Sequence, residues 1–295
     1  MPVASVRCAC IDIGSNTTRL LVAECAAEGI SEVHQERAFT YLAWSGLPDG
    51  AIAPGKLQEV SDVVSAQLLT ARRLGCELVR AVGTAAIRRA PNGAELAAVV
   101  REACGLEVEI LTAQEEARLA FIGAARTHGH VGAGALGVVD VGGGSSELVV
   151  GQAPDQVAWS ASFPLGSGDL ARRHLVSDPP TPAEIADARR EVDQTLGEID
   201  VPQPAEAVAV GGSAASLSRL AGRLLDAAAF ARALADLIAA PGQEVARRFG
   251  VELERVRLLP AGLVILQAAS ERFGAPLAVA GGGLREGVLM EVAGG

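Results

Sequence analysis

The chain has 295 residues, 49% of them hydrophobic and 20% charged, with a formal net charge of −10. That composition supplies apolar material for two ordinary domains and excludes a disordered chain. The acidic balance argues against a general nucleic-acid binder, and no apolar run reaches the roughly 20 residues of a membrane span.

In chain order, the N-terminal stretch MPVASVRCACIDIG has no basic segment followed by a long apolar run, so a cytoplasmic protein without a signal peptide is expected. The five cysteines, Cys8, Cys10, Cys25, Cys76 and Cys104, lack metal-ligand spacing and read as small buried apolar residues in a reducing compartment. Residues 6–24, VRCACIDIGSNTTRLLVAE, read as strand, tight turn, strand, with Asp12 ending the first strand. Leu57, Val60, Val64, Leu68, Ala71 and Leu74 recur every three or four residues, which predicts an amphipathic helix. Residues 78–82 and 107–110 read as strands, and AQEEARLAFIGAA at 113–125 as a helix. A second strand–turn–strand follows in ALGVVDVGGGSSELVVG. The loop SDPPTP then introduces a helix over 181–199, with Ile185, Val192, Leu196 and Ile199 inward. Residues 207–220 and 277–292 each read as strand, glycine turn, helix, the first turn containing Gly211, Gly212 and Ser213.

The two hairpins echo each other. IDIGSNTTRLLV at 11–22 aligns with VDVGGGSSELVV at 139–150, so Asp12 matches Asp140, Gly14 matches Gly142, Thr17 matches Ser145 and Thr18 matches Ser146. Two such segments half a chain apart imply duplicated domains. Glycine permits positive φ and lets main-chain N–H groups approach a ligand, and Ser, Thr and Asn add short donors, so each turn is a candidate anion nest. A Walker A loop or a Rossmann fingerprint would need a helix next, and here a strand follows.

Together these segments resemble the exopolyphosphatase / guanosine-pentaphosphate phosphatase (Ppx/GppA) family. The matching stretches are IDIGSNTTRLLVAE, VGTAAIRRAPN, ILTAQEEARLAFIGA, VVDVGGGSSELVVG, FPLGSGDL, AVGGSAASLSRL, LPAGLVILQ and GGGLREGVL, in the family's order. The resemblance implies an α/β fold of duplicated actin-like (ribonuclease H-like, ASKHA) domains with an interdomain active cleft. The domains are expected at 1–115 and 116–295, with the last helix, 284–293, a candidate to pack back on the first. None of His34, His128, His130 or His174 is followed by Asp, so the His-Asp metal signature of the family's longer forms is absent.

The resemblance also implies roles. Glu116 matches the catalytic base, whereas Glu115 reads as a solvated helix position. Asp140 and Glu147 match acidic positions near metal and water, and Mg²⁺, or another divalent ion, is the expected cofactor. Arg88 matches an arginine that holds a substrate phosphate, and Arg255 is a second such candidate. Ser15, Asn16, Thr17, Gly143, Gly144, Ser145 and Gly212 would supply loop donors around Gly14 and Gly142. Arg19 has no counterpart in the second hairpin and reads as a solvent-facing side chain. Tyr41 and Ala43 stand where an Arg-Leu-Gly-like segment is usual, Asp169 where an Arg is common, and Ala85 where Ser is frequent. The implied reaction is hydrolysis of the terminal phosphate of inorganic polyphosphate, with guanosine pentaphosphate as the alternative substrate. An actin-like kinase and a non-catalytic phosphate or nucleotide sensor are the readings from other classes. No nucleic acid or membrane partner is expected, and a homodimer is left open.

Overall fold

The computed structural model describes residues 5–26, 29–42, 47, 49–129 and 134–294; Ala43 and His130 lie outside the described residues. The chain divides into two compact units, Met1–Gly123 with Leu284–Gly295, and Ala124–Gly283. The first unit contains β1 (Val6–Ile13), β2 (Thr17–Ala26), β3 (Gly29–Phe39), α1 (Pro54–Arg73), β4 (Leu78–Gly83), α2 (Ala85–Arg89), α3 (Gly93–Cys104), β5 (Val108–Ile110) and most of α4 (Ala113–His128). The second contains β6 (Leu136–Val141), β7 (Ser146–Gln152), β8 (Gln156–Phe163), α5 (Ser167–His174), α6 (Pro182–Leu196), β9 (Glu206–Val210), α7 (Gly211–Ala221), β10 (Leu224–Leu225), α8 (Ala227–Ala239), α9 (Gly242–Phe249), α10 (Leu253–Val256), α11 (Leu259–Phe273) and β11 (Leu277–Val279). The chain then returns to the first unit as α12 (Leu284–Gly294).

The two sheets repeat one topology. In the first the order is β3-β2-β1-β4-β5. The β1–β2 and β2–β3 pairs are antiparallel, and the β1–β4 and β4–β5 pairs parallel. In the second, β8-β7-β6-β9-β11 runs in the same order and sense, with β10 added antiparallel at the edge. Each parallel step needs a crossover connection, which helices supply. These are two actin-like α/β domains built on one plan.

Strand alternation sorts the first sheet's faces. Ala9, Ile11 and Ile13 point into a core with Leu57, Val60, Val64, Leu96 and Val100 of α1 and α3. Cys8 and Cys10 point the other way, against Leu119 of α4 and Leu284, Val288 and Leu289 of α12. The division between the two compact units falls within α4, after Gly123, against an expected boundary at 115/116. The start of α4 is held by β1 and α12: a Cβ on Gly287 would lie 2.0 Å from the Leu119 carbonyl oxygen, so the two helices touch backbone to side-chain-free backbone. The second unit has one continuous core running from Val139 and Leu148 through α6, α7 and α8 to the buried α11. Cys8, Cys10 and Cys25 are buried free thiols. Burial pushes the Cys25 thiol up to about 12, which leaves it inert.

Candidate functional site

The two hairpin turns are closed identically. Gly14 N–H donates to the Thr17 carbonyl at 3.0 Å, and Gly142 N–H donates to the Ser145 carbonyl at 3.0 Å. An added Cβ would stand 3.1 Å from Thr17 O in the first turn and 3.2 Å from Ser145 O in the second. Neither Gly14 nor Gly142 has a φ in the left-handed region. The expectation of positive φ is therefore corrected: these glycines serve close backbone approach, not an unusual dihedral. Ser15, Asn16 and Thr17 are 4%, 5% and 8% exposed, so the first turn is enclosed by protein.

The carbonyls of each turn are engaged from inside. Asn16 O accepts from Thr40 N at 3.1 Å and Tyr41 N at 3.0 Å. Gly142 O accepts from Ser167 N, and Gly143 O accepts from Gly168 N and Asp169 N, all within 3.0 Å. In a planar trans peptide the N–H points opposite the C=O, so anchoring these oxygens turns the next residues' N–H groups away from the anchor. That is the orientation an anion nest needs. The anchor is tight, since a Cβ on Gly166 would lie 2.2 Å from Gly144 N. Tyr41, in the segment that departs from the family pattern, has φ 46°, the one non-glycine residue with positive φ among the described residues. Asp169, buried at 6% in the first turn of α5, belongs to this anchor through its backbone N–H.

In the first unit the acid–base groups converge. Glu115 and Glu116 lie in the first turn of α4. Glu115 accepts from Thr112 N (2.8 Å) and Thr112 Oγ1 (2.7 Å), while its own N–H donates to that hydroxyl, a reciprocal cap that holds it at the surface. One residue on, about 100° around the helix, Glu116 is buried. Arg88 Nη1 donates to Glu116 Oε2 at 2.9 Å and to the Leu111 carbonyl at 2.7 Å. Burial raises the Glu116 carboxyl above the ordinary range; the Arg88 hydrogen bond and charge pull it back, and Asp12 pushes it further up. Asp12 pairs across the hairpin with Arg19 and is flanked on its other side by Val82 of β4. Its carboxyl is also raised by burial, opposed by Arg285 and then Arg19. Arg19 is thus electrostatically engaged and not simply solvent-facing. Arg285 was not legible as part of this group: it stands within GGGLREGVL, and only the fold shows its burial.

In the second unit Asp140 and Glu147 are directly opposite each other across β6–β7 and share a face. Glu147 is 1% exposed and accepts from Ser162 Oγ at 2.9 Å. Asp140 is bordered by glycine: a Cβ on Gly211 would stand 2.5 Å from Asp140 Oδ1. Gly211 also has φ +84°, so here both dihedral and space demand glycine. Gly212 and Ser213 follow in the first turn of α7, whose start has no side-chain cap. The Arg255 guanidinium lies over Gly212, where a Cβ would be 2.7 Å from Nη1. A buried cation beside the positive end of a helix dipole suits a site that receives an anion.

Among the described residues no three His, Cys, Asp or Glu side chains converge as a metal cluster. The paired carboxylates of Asp140 and Glu147 fit a Mg²⁺, which is commonly held by one or two carboxylates together with substrate phosphates and water.

Sequence and structure comparisons agree with this architecture. The Mycobacterium tuberculosis protein named Exopolyphosphatase 1 is 28% identical over 97% of this chain and 88% of its own length. The Vibrio cholerae guanosine-5'-triphosphate,3'-diphosphate pyrophosphatase is 29% identical over 98% of this chain, which spans 60% of that longer protein. The crystal structure of the Aquifex aeolicus Ppx/GppA family member superposes with a TM-score of 0.82 at 29% identity, covering 98% of both chains. The profile of the Ppx/GppA phosphatase family matches residues 21–294, and the chain belongs to that family of hydrolases acting on phosphoric anhydrides.

Proposed function

We propose that the chain is an exopolyphosphatase, removing the terminal phosphate of inorganic polyphosphate by in-line attack of water. The observation that carries this reading is the buried carboxylate of Glu116, oriented by Arg88 at 2.9 Å and raised by burial. A carboxylate so placed accepts a proton more readily than one at the surface, which suits a general base. Water attacks the terminal phosphorus, its proton passes to Glu116, and the bridging P–O bond breaks to leave a chain one phosphate shorter. The turns at Gly14–Thr17 and Gly142–Ser145, with Gly211–Ser213 and Arg255, would receive phosphate oxygens. Asp140 and Glu147 would hold Mg²⁺, which offsets negative charge on the phosphates and the transition state when bound.

The same terminal group occurs on guanosine pentaphosphate, and the V. cholerae relative supports that substrate as the second reading. The test is phosphate release by purified protein from tripolyphosphate, long-chain polyphosphate and guanosine pentaphosphate, with Mg²⁺ and with chelator. Faster turnover of polyphosphate is expected. Turnover of guanosine pentaphosphate alone would replace the first reading by the second, and release from none of them would sink both.

A further inference from the structure

Arg285, at the start of α12, carries a charge that the proposed reaction does not use. It is 9% exposed, and its Nη2 lies 3.8 Å from Glu286 Oε1. Its Nη1 is buried with no hydrogen-bond partner. A buried guanidinium needs an opposite charge close by.

Glu286 supplies one such charge; a second is found on β1. Cys8, Cys10 and Asp12 occupy alternate positions and so share one face of the sheet. Cys8 and Cys10 pack against Leu284, Val288 and Leu289 of α12. Asp12 is the next position along this stripe, and Arg285 directly follows Leu284 in the helix. Asp12 Oδ1 is likewise buried without a hydrogen-bond partner. Arg285 is the strongest attraction on the Asp12 carboxyl, ahead of Arg19. Asp12 in turn acts on Glu116. Two buried carboxylates therefore sit within electrostatic reach of each other, each with an arginine of its own: Arg88 for Glu116 and Arg285 for Asp12.

We infer that Arg285 is a positioning residue of the reaction, acting through Asp12 to fix that carboxylate at the end of β1 beside the first phosphate-binding turn. Its Nη1 is closed off from solvent, and its effect in this inference is to hold one negative charge in place and offset it where further negative charge must enter. The inference rests on the phosphohydrolase reading above.

The experiment compares Arg285→Met, Arg285→Lys, Asp12→Asn and the Asp12→Asn/Arg285→Met double variant, using phosphate release from tripolyphosphate with Mg²⁺ and thermal melting. Arg285→Met should lower kcat about 10- to 100-fold, in the range usual for contacting groups that couple. KM should stay within about twofold, because the side chain does not bind substrate. Arg285→Lys should recover part of the loss by restoring the charge. In the Asp12→Asn background, adding Arg285→Met should change kcat by less than about twofold. Should Arg285→Met fail to fold, the lysine variant and the double variant, which lacks both buried charges, carry the same comparison. An unchanged kcat in folded Arg285→Met, a rise in KM alone, or a full further loss in the Asp12→Asn background would each overturn the inference. A wild-type chain that releases no phosphate would sink the phosphohydrolase reading and this inference with it; an active wild type beside an unaffected Arg285→Met would sink the inference alone.

Discussion

Replacing Glu116 by Gln isolates proton transfer from everything else that side chain does. The amide has nearly the same volume, and its oxygen can still accept from Arg88 Nη1, now 2.9 Å from Glu116 Oε2. Fold and substrate binding should therefore persist, while the base is lost. General bases typically contribute about 10²- to 10⁴-fold in rate, which at about 1.4 kcal/mol per decade is roughly 3–5 kcal/mol of barrier. The assay is steady-state phosphate release from tripolyphosphate across pH. The base works ionised, and burial raises its carboxyl, so the wild-type acid limb of kcat/KM should lie above the ordinary glutamate value of about 4.3 and fall as pH drops. A raised folded-state pKa also means that the folded chain holds this proton more tightly than the unfolded one. That contribution to stability is complete below the unfolded pKa and is lost as pH rises through the folded one. Glu116→Gln should remove this dependence from thermal midpoints. Turnover within about threefold of wild type would refute the assignment of the base.

Three further outcomes follow from the geometry. Arg88→Met removes the largest attraction on Glu116, so the acid limb should move to still higher pH, and Arg88→Lys should restore it only in part; an unmoved limb in a folded variant would show that Arg88 does not govern the base. Gly14→Ala and Gly142→Ala should each lower stability by a similar amount, about 1–3 kcal/mol, because each Cβ meets a turn carbonyl at 3.1 or 3.2 Å, and denaturant titration that found one cost far above the other would contradict the equivalence of the turns. Gly211→Ala should be worse than either, since it combines φ +84° with a Cβ 2.5 Å from Asp140 Oδ1; a melt and activity equal to wild type would mean that this approach is relieved without cost.

The parts legible in the sequence were those with short-range grammar. The hairpins showed as apolar runs around glycine, and α1 showed because Leu57, Val60, Val64 and Leu68 face one core. By contrast α11 has Leu259, Ala261, Leu263, Val264, Ile265 and Leu266 all buried, so no polar face marks its period. The Thr112–Glu115 cap was available as a T-x-x-E pattern and would have assigned Glu115 its role without a fold. Arg285 had no such signal. Its importance depends on α12 returning to pack on β1 after an excursion through the second unit, a relation that no local pattern encodes.

The duplication also explains where the chemistry could diverge. Both turns keep the same closing hydrogen bond and the same aspartate at the end of the preceding strand, since Asp12 and Asp140 occupy equivalent places on β1 and β6. What surrounds those aspartates differs. Opposite Asp12 on β2 stands Arg19, and Arg285 of α12 also acts on that carboxyl, so a buried negative charge is met by positive ones. Opposite Asp140 on β7 stands Glu147, and glycines border it, so two carboxylates share one face with open backbone beside them. Two like charges at neighbouring cross-strand positions are unfavourable by themselves and become favourable when a cation is held between them. The first copy meets its aspartate with arginines, and the proposed Mg²⁺ would sit at the carboxylate pair of the second. A Mg²⁺ titration should accordingly stabilise the wild type and not an Asp140→Asn/Glu147→Gln variant, whereas Asp12→Asn should leave the Mg²⁺-dependent rise in melting temperature intact. Loss of that rise in Asp12→Asn, or its survival in the double variant, would mean that the division of labour between the two copies is drawn the wrong way round.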